Sequence, residues 1–160
     1  MIIAIDPGPV ESAYVEMDEE YRPQKIGKVR NEEMLAIIPL AYWEDGCDEI
    51  VIEMVASYGM PVGAEVFETV FWIGRYFEAA KKYWRRERIY RIDVKNHLCH
   101  SSRAKDGNIR QALIDRFGVV GTKKDPGWFY GFKADIWQAY AVGVTYLDRL
   151  REAGGNAEAT

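Results

Sequence analysis

Three acidic residues stand at positions where their carboxylates could bind a metal ion. Asp6 follows the apolar run IIAI and precedes Pro7-Gly8, a turn that lets a ligand approach the backbone closely. Glu53 closes a second apolar run, EIVIE, and Asp135 opens an apolar helix. A charged side chain at the end of a buried strand is costly unless it binds a cation or is otherwise satisfied. Clustered carboxylates can hold Mg²⁺ with open positions for water and phosphate, so these acids indicate metal-dependent chemistry at a phosphate.

Two of these acids also have simpler explanations. An Asp-Pro-Gly sequence is a common turn in which Asp6 would be solvated. At a helix start, Asp135 could serve as a cap or as a partner of the helix dipole. The order along the chain favours a shared site, because one acid follows the first strand, one follows the fourth, and the third comes after a basic segment at the last helix.

The elements that would position these acids follow from the apolar periodicity and the turn residues. Strands are predicted over residues 2–5, 12–17, 25–29, 49–53 and 88–92. Helices are predicted from residue 31 to the Asp45-Gly46 stop and over residues 64–86, 106–117 and 133–151. This order predicts an α/β fold, with a five-stranded mixed sheet flanked by helices. Residues 1–151 are predicted to form a single domain, and residues 152–160 a disordered tail.

The helix predicted over residues 64–86 has more apolar surface than one core-facing stripe needs. Its core face is assigned to Val66, Val70, Ile73, Phe77 and Ala80. Large side chains fall off that face, namely Phe67, Phe71 and Trp72. Because a monomer rarely exposes so much apolar surface on one helix, we expect a homodimer through this helix.

Composition and the distribution of apolar residues favour one cytoplasmic domain without disulfides. A chain of 160 residues with 48% hydrophobic content can bury a core without disulfides or structural metals. Two cysteines, a start without a basic leader and the lack of a long apolar run predict a cytoplasmic protein that does not enter a membrane. His97, Cys99 and His100 suggest zinc, but the sequence offers no second ligand pair at suitable spacing.

Charge is distributed unevenly along the chain. The formal net charge of -4 and the sequence pI of about 5.3 argue against a nucleic-acid partner. However, residues 74–133 contain 15 of the 21 Lys and Arg residues and only 6 of the 25 Asp and Glu residues. This basic segment is compatible with a phosphate-binding surface, although the run KKYWRR within it could equally be a solvated helix face.

Nearly the whole chain resembles the RuvC Holliday junction resolvases, and most closely their phage-encoded branch. The resemblance runs through IIAIDPGPVESAYV, IVIEMVASYGMPVG, RIDVKNHLCHSSRAKDGNIRQALIDRFG and KADIWQAYAVGVTYLD. It implies a ribonuclease H-like fold, a homodimer, and hydrolysis of four-way DNA junctions to 5′-phosphate and 3′-hydroxyl ends. It also implies two Mg²⁺ ions per site, for which Mn²⁺ is expected to substitute, and, for a phage protein, action in the cytoplasm of the bacterial host.

The resemblance also assigns roles to individual residues. Asp6, Glu53 and Asp135 would bind metal, and Lys105 would assist catalysis. Where RuvC proteins carry a second aspartate on the last helix, this chain has Gln138, which we include as a metal ligand, with Asp106 as the substitute should Gln138 lie outside the site. The residues expected to contact DNA are Tyr58, as the aromatic that enters the junction, and Lys95, Arg103, Lys105, Arg110, Lys123, Lys124 and Lys133. Lys95 and Lys105 are one residue closer together than the family pattern implies.

Other functions remain open at the level of sequence. A different ribonuclease H-like nuclease, acting on branched DNA or on RNA, would use the same acids. A non-catalytic DNA-binding module is compatible with glutamine at position 138. An actin-like sugar kinase also opens with a strand and an Asp-x-Gly turn, but it needs two such domains, for which 160 residues are too few.

Overall fold

The protein is described by a computed structural model that covers residues 1–158, with side chains described through residue 155. One mixed sheet of five strands has the order β3-β2-β1-β4-β5. Its strands are β1 (Ile2–Asp6), β2 (Glu11–Met17), β3 (Pro23–Arg30), β4 (Glu49–Met54) and β5 (Arg85–Tyr90). The first three strands form an antiparallel meander, and β4 and β5 extend it in parallel with β1. The α/β fold with a five-stranded mixed sheet is therefore confirmed.

Helices cover both faces of the sheet. They are α1 (Asn31–Trp43), α2 (Ala64–Ala79), α3 (Arg91–Cys99), α4 (Asp106–Phe117) and α5 (Ile136–Glu158). Alternate residues of β1 belong to different cores: Ala4 packs with α5, whereas Ile3 and Ile5 pack with α1 and α2. This alternation is the two-residue period of a strand that is buried on both faces.

Helix α5 lies unusually close to the sheet. A β-carbon placed on Gly143 would come within 2.5 Å of the Met17 sulfur and 3.0 Å of the Ala4 Cβ. Glycine at this position therefore allows the helix backbone to approach β1 and β2, which brings the amino-terminal end of α5 to the carboxyl end of β1.

Several element boundaries differ from the sequence prediction. Helix α2 ends at Ala79, and β5 covers Arg85–Tyr90 because it pairs residue by residue with Glu49–Met54. A separate short helix, α3, follows β5 directly. Helix α5 begins at Ile136 and continues to Glu158, into the segment for which a disordered tail was predicted. Extending a helix past residue 151 needs no new nucleation, and residues 159–160 lie outside the described part of the chain.

The apolar faces of α2 are also rotated relative to the prediction. Trp72, assigned to the exposed face, is only 8% exposed and packs in the core with Tyr76, whereas Val70 is 39% exposed. Phe67 and Phe71 remain exposed as expected, at 67% and 58%. The broad aromatic content of this helix made two adjacent stripes equally apolar, so periodicity could not select between them.

None of the helices among residues 1–158 is both long enough and apolar enough to span a membrane.

Candidate active site

Asp6 and Glu53 lie side by side at the carboxyl ends of β1 and β4. The two strands pair in parallel with Ile5 opposite Ile52, so the acids are the next residues along each strand. Since Ile5 and Ile52 both point toward α1 and α2, the two carboxylates point to the opposite face, toward α5. The sequence prediction that these two acids meet at one edge of the sheet thus agrees with the strand register.

Both carboxylates are held in surroundings that disfavour their charge. Glu53 is 4% exposed, and burial raises its pKa although nearby Arg91 acts in the opposite direction. Burial, and after it the charge of Glu53, raise the pKa of Asp6 well above its usual range. Two adjacent carboxylates with raised pKa values require either protons or cations for stability.

Arg91 supplies one such cation. Its Nη1 donates to both oxygens of Glu53, at 3.1 and 3.2 Å, and its Nη2 donates to Asp106. Arg91 begins α3 immediately after β5. Glu53 pairs with Ile89 and the strand ends at Tyr90, so Arg91 lies one residue past the strand end and two residues past the partner of Glu53. It therefore reaches the same edge of the sheet as the two acids. Sequence reasoning assigned Arg91 no role.

Lys28 supplies a second cation. Its Nζ lies 2.6 Å from the Asp135 Oδ2 and 3.9 Å from Glu11. Lys28 pairs with Ala13, and Ala13 pairs with Asp6, so the three residues form one row across the sheet. Residues opposite one another in a sheet share a face, and the small Ala13 leaves space above it. Lys28 can thus extend over the sheet toward the start of α5.

Asp135 and Gln138 line an adjoining cleft of about 470 Å³. Asp106 and Arg110 of α4 also line it, and the Arg110 guanidinium covers the Trp137 ring at 4.9 Å. Gln138 is 5% exposed, and its Oε1 is buried without a hydrogen-bond partner among the described residues. A buried amide oxygen without a partner costs free energy. This oxygen is therefore available to coordinate a cation or to accept a hydrogen bond from a ligand.

The donor chemistry of this region fits a hard divalent cation. Asp6, Glu53, Asp135 and Gln138 would offer oxygen ligands only, as Mg²⁺ prefers. However, among the described side chains, those of residues 1–155, no three Asp, Glu, His or Cys groups are arranged so that they could hold one metal ion together. The carboxylates of Glu53 and Asp135 are instead paired with Arg91 and Lys28. The charge of Asp135 still contributes to the raised pKa of Asp6, so the two lie within electrostatic range.

The residues predicted to contact DNA are distributed unevenly around this site. Lys95 on α3 is close enough to Glu53 to oppose the rise in its pKa, and Arg110 and Lys133 line the cleft. Lys105 is exposed at the start of α4, where its carbonyl accepts the first helical hydrogen bonds. The others are exposed on loops, namely Arg103, Lys123 and Lys124.

Tyr58 stands on the loop that follows β4. It is 58% exposed and has a positive φ of 49°, which is uncommon for a residue with a side chain. The adjacent Gly59 also has a positive φ, so the loop turns sharply and presents the ring to solvent. Tyr58 is thus an exposed aromatic near the strand end that bears Glu53.

Solved structures share this architecture. No protein-family model matches the chain, and no match was found among curated proteins. RuvC from Thermus thermophilus is 14% identical with a TM-score of 0.70, covering 95% of this chain and 96% of its own. T. thermophilus RuvC in complex with a Holliday junction substrate is 16% identical with a TM-score of 0.66, covering 95% of each chain. At this identity the likeness establishes a common fold.

Proposed function

We propose that this chain is a magnesium-dependent endonuclease that resolves four-way DNA junctions. The observation that carries the proposal is the placement of Asp6 and Glu53 at adjacent strand ends, on a fold shared along 95% of the chain with RuvC. One of the matching structures is described as RuvC in complex with a Holliday junction substrate. The phage-encoded branch, and with it action in the bacterial cytoplasm, rests on the sequence motifs.

Four residues would hold the metal: Asp6, Glu53, Asp135 and Gln138. Bound Mg²⁺ ions would activate water and stabilise the leaving oxygen of an in-line displacement, and Mn²⁺ would substitute. The unpaired Gln138 oxygen would gain a partner on binding. Lys95, beside Glu53, and Lys105, at the start of α4, would place positive charge near the phosphate.

DNA would contact the same end of the molecule. Arg110 and Lys133 border the cleft that holds Asp135, so a phosphate bound there would meet both cations. Tyr58 would stack on an unpaired base at the junction centre, because its ring is exposed on a loop beside Glu53. Arg103, Lys123 and Lys124 would extend the contact along the junction arms through phosphates.

A homodimer would supply the second cut that resolution requires. Helix α2 exposes Phe67, Val70 and Phe71, and the groove beside them is also lined by Leu35 of α1. This contiguous apolar surface on α1 and α2 lies across the sheet from α5, so a second copy bound there would leave both sites free.

The decisive experiment measures cleavage of a panel of four-way junctions, three-way junctions, flaps and RNA/DNA hybrids with Mg²⁺. Asp6→Asn and Glu53→Gln should abolish cleavage of the four-way junction while junction affinity stays within about tenfold, because affinity comes mainly from phosphate contacts. Glu49→Gln is the matched control, since Glu49 lies at the other end of β4. Full activity in either site variant contradicts the assignment, and preference for hybrids would indicate a different ribonuclease H-like nuclease.

A non-catalytic DNA-binding module is the second candidate. It is favoured by the pairing of Glu53 with Arg91 and of Asp135 with Lys28, which neutralises two of the predicted ligands without metal. Such a module would bind junctions with the same steep dependence on salt but would show no metal-dependent cleavage. Metal-dependent cleavage that is lost in Asp6→Asn excludes it.

A further inference from the structure

Arg91 connects two carboxylates that differ greatly in exposure. The Glu53 side chain is 5% exposed and that of Asp106 is 68% exposed, with Arg91 between them at 30%. A single nitrogen, Nη1, contacts both oxygens of Glu53, while Nη2 contacts Asp106. The guanidinium therefore uses one end for the buried acid and the other for the solvent-facing acid.

This contact opposes direct coordination of a divalent ion by Glu53 through charge repulsion. Both carboxylate oxygens already accept hydrogen bonds from Arg91, and a metal ion placed on either oxygen would stand next to a guanidinium. Arginine does not lose its proton in proteins, so this repulsion can be relieved only by moving the guanidinium away. Asp106 offers an exposed position toward which it can move.

We propose that Arg91 is a built-in counter-ion for Glu53 that is exchanged for the divalent ion when metal binds, and that Asp106 retains the guanidinium after the exchange. Arg91 is thus a positioning residue: it holds Glu53 in place in the metal-free protein and sets the affinity of the site for metal. This inference rests on the metal site proposed above.

Two of the four predicted ligands have a close cationic partner in the metal-free protein. Asp135, a second predicted ligand, is paired in the same way with Lys28, whose Nζ lies 2.6 Å from its carboxylate. An ordinary pair is present at the other end of the same strands, where Arg85 lies 3.8 Å from Glu49 and is 49% exposed. Both Glu53 and Asp135 thus have a cationic partner that a bound metal ion would have to replace.

The test is calorimetric titration of Mn²⁺ into the metal-free full chain, together with thermal unfolding in EDTA. Arg91→Gln should bind Mn²⁺ about tenfold more tightly, because a contacting cation is removed, and should unfold at a lower temperature in EDTA, because Glu53 loses its counter-ion. A merely structural role would lower stability without tightening metal binding. Arg85→Gln, which removes the same charge from the opposite end of β5, should leave the Mn²⁺ affinity unchanged.

A double-mutant cycle separates exchange from general electrostatics. Asp106→Asn should weaken Mn²⁺ binding about threefold, because Arg91 then has no alternative partner, and it should have little effect in the Arg91→Gln background. Equal effects of Asp106→Asn in both backgrounds would overturn the proposal. If Arg91→Gln does not fold, Arg91→Lys takes its place and should bind Mn²⁺ more tightly than the wild type, because a compact ammonium lacks the planar fork that reaches Glu53 with one nitrogen and Asp106 with the other.

The outcomes distinguish failure of this inference from failure of the proposed function. Wild-type protein that binds no Mn²⁺, or binds it equally well after Asp6→Asn, contradicts the metal site itself and this inference with it. Binding that requires Asp6 but is unchanged or weakened in Arg91→Gln overturns the exchange and leaves the metal site standing.

Discussion

Replacement of Glu16 by glutamine should stabilise the protein at alkaline pH. Glu16 lies in β2, is 1% exposed, and has one carboxylate oxygen, Oε2, buried without a hydrogen-bond partner among the described residues. Burial, followed by the charge of Asp45, raises its pKa from 4.5 to about 7. Lys25, opposite Glu16 in the sheet, gives only partial compensation because it is paired with Asp45 at 2.5 Å.

The sign and size of the effect follow from the difference in proton binding. Between pH 4.5 and about 7 the folded protein holds the Glu16 proton more tightly than the unfolded chain does, so stability falls as pH rises through this window. A shift from 4.5 to about 7, at 1.36 kcal/mol per unit, sets an upper limit of about 3 kcal/mol. Relaxation around the ionised group makes a loss of about 2 kcal/mol the expected value.

Urea unfolding of the wild type and Glu16→Gln at pH 5 and pH 8 measures this loss. The two proteins should differ by less than about 1 kcal/mol at pH 5, where the carboxyl is still mostly protonated in the folded wild type, whereas Glu16→Gln should be about 2 kcal/mol more stable at pH 8. Other acids with raised pKa values, including Asp6 and Glu53, contribute equally to both proteins and cancel. Glu20→Gln is the matched control, since Glu20 is 85% exposed. A difference that is independent of pH would refute the reasoning.

Two further predictions concern the metal site and the dimer. Gln138→Asp should lower the Mg²⁺ concentration that gives half-maximal cleavage, because it adds a charge where a buried oxygen is unpaired, and Gln138→Ala should slow cleavage less than Asp135→Asn does. An unchanged metal titration for Gln138→Asp would place this residue outside the coordination shell. Phe71→Glu should convert the dimer to a monomer in sedimentation at micromolar concentration, while a wild type that is monomeric with and without junction DNA would contradict the interface.

The proximity of Asp6 and Glu53 was predictable from sequence, because both residues follow apolar runs that form neighbouring parallel strands. Asp6 and Glu53 each terminate a short apolar run, and runs of this kind form the central strands of a sheet buried on both faces. Parallel central strands end at a common edge, so two acids at such ends must be neighbours. The same reasoning could have found Lys28, which lies inside a strand that was predicted correctly and shares a row with Asp6. It was missed because the pairing register of a meander depends on turn geometry.

Helix α2 shows where periodicity alone fails. Its aromatic and aliphatic residues surround most of the helix, so the stripe that faces the core is decided by packing against α1 and β4. Trp72 is buried beside Tyr76, and the Tyr76 hydroxyl lies 3.0 Å from the Ser12 hydroxyl, a long-range contact that no local pattern records. Tertiary contacts of this kind override a hydrophobic pattern that permits two orientations.

Arg91 was hidden because the predicted bounds of one strand were wrong by three residues at its start and two at its end. If the strand covered residues 88–92, Arg91 would lie within the edge strand of the sheet. An arginine at such a position gives no indication of a functional role. The actual strand, Arg85–Tyr90, begins with four consecutive charged residues and so lacks an apolar signal, and its position is set by pairing with β4. That pairing ends β5 at Tyr90 and puts Arg91 just past the strand end, beside Glu53. A site built on strand ends can therefore be derived from sequence only as far as the register of each strand is known, and here Arg91 follows a strand whose register no local pattern fixes.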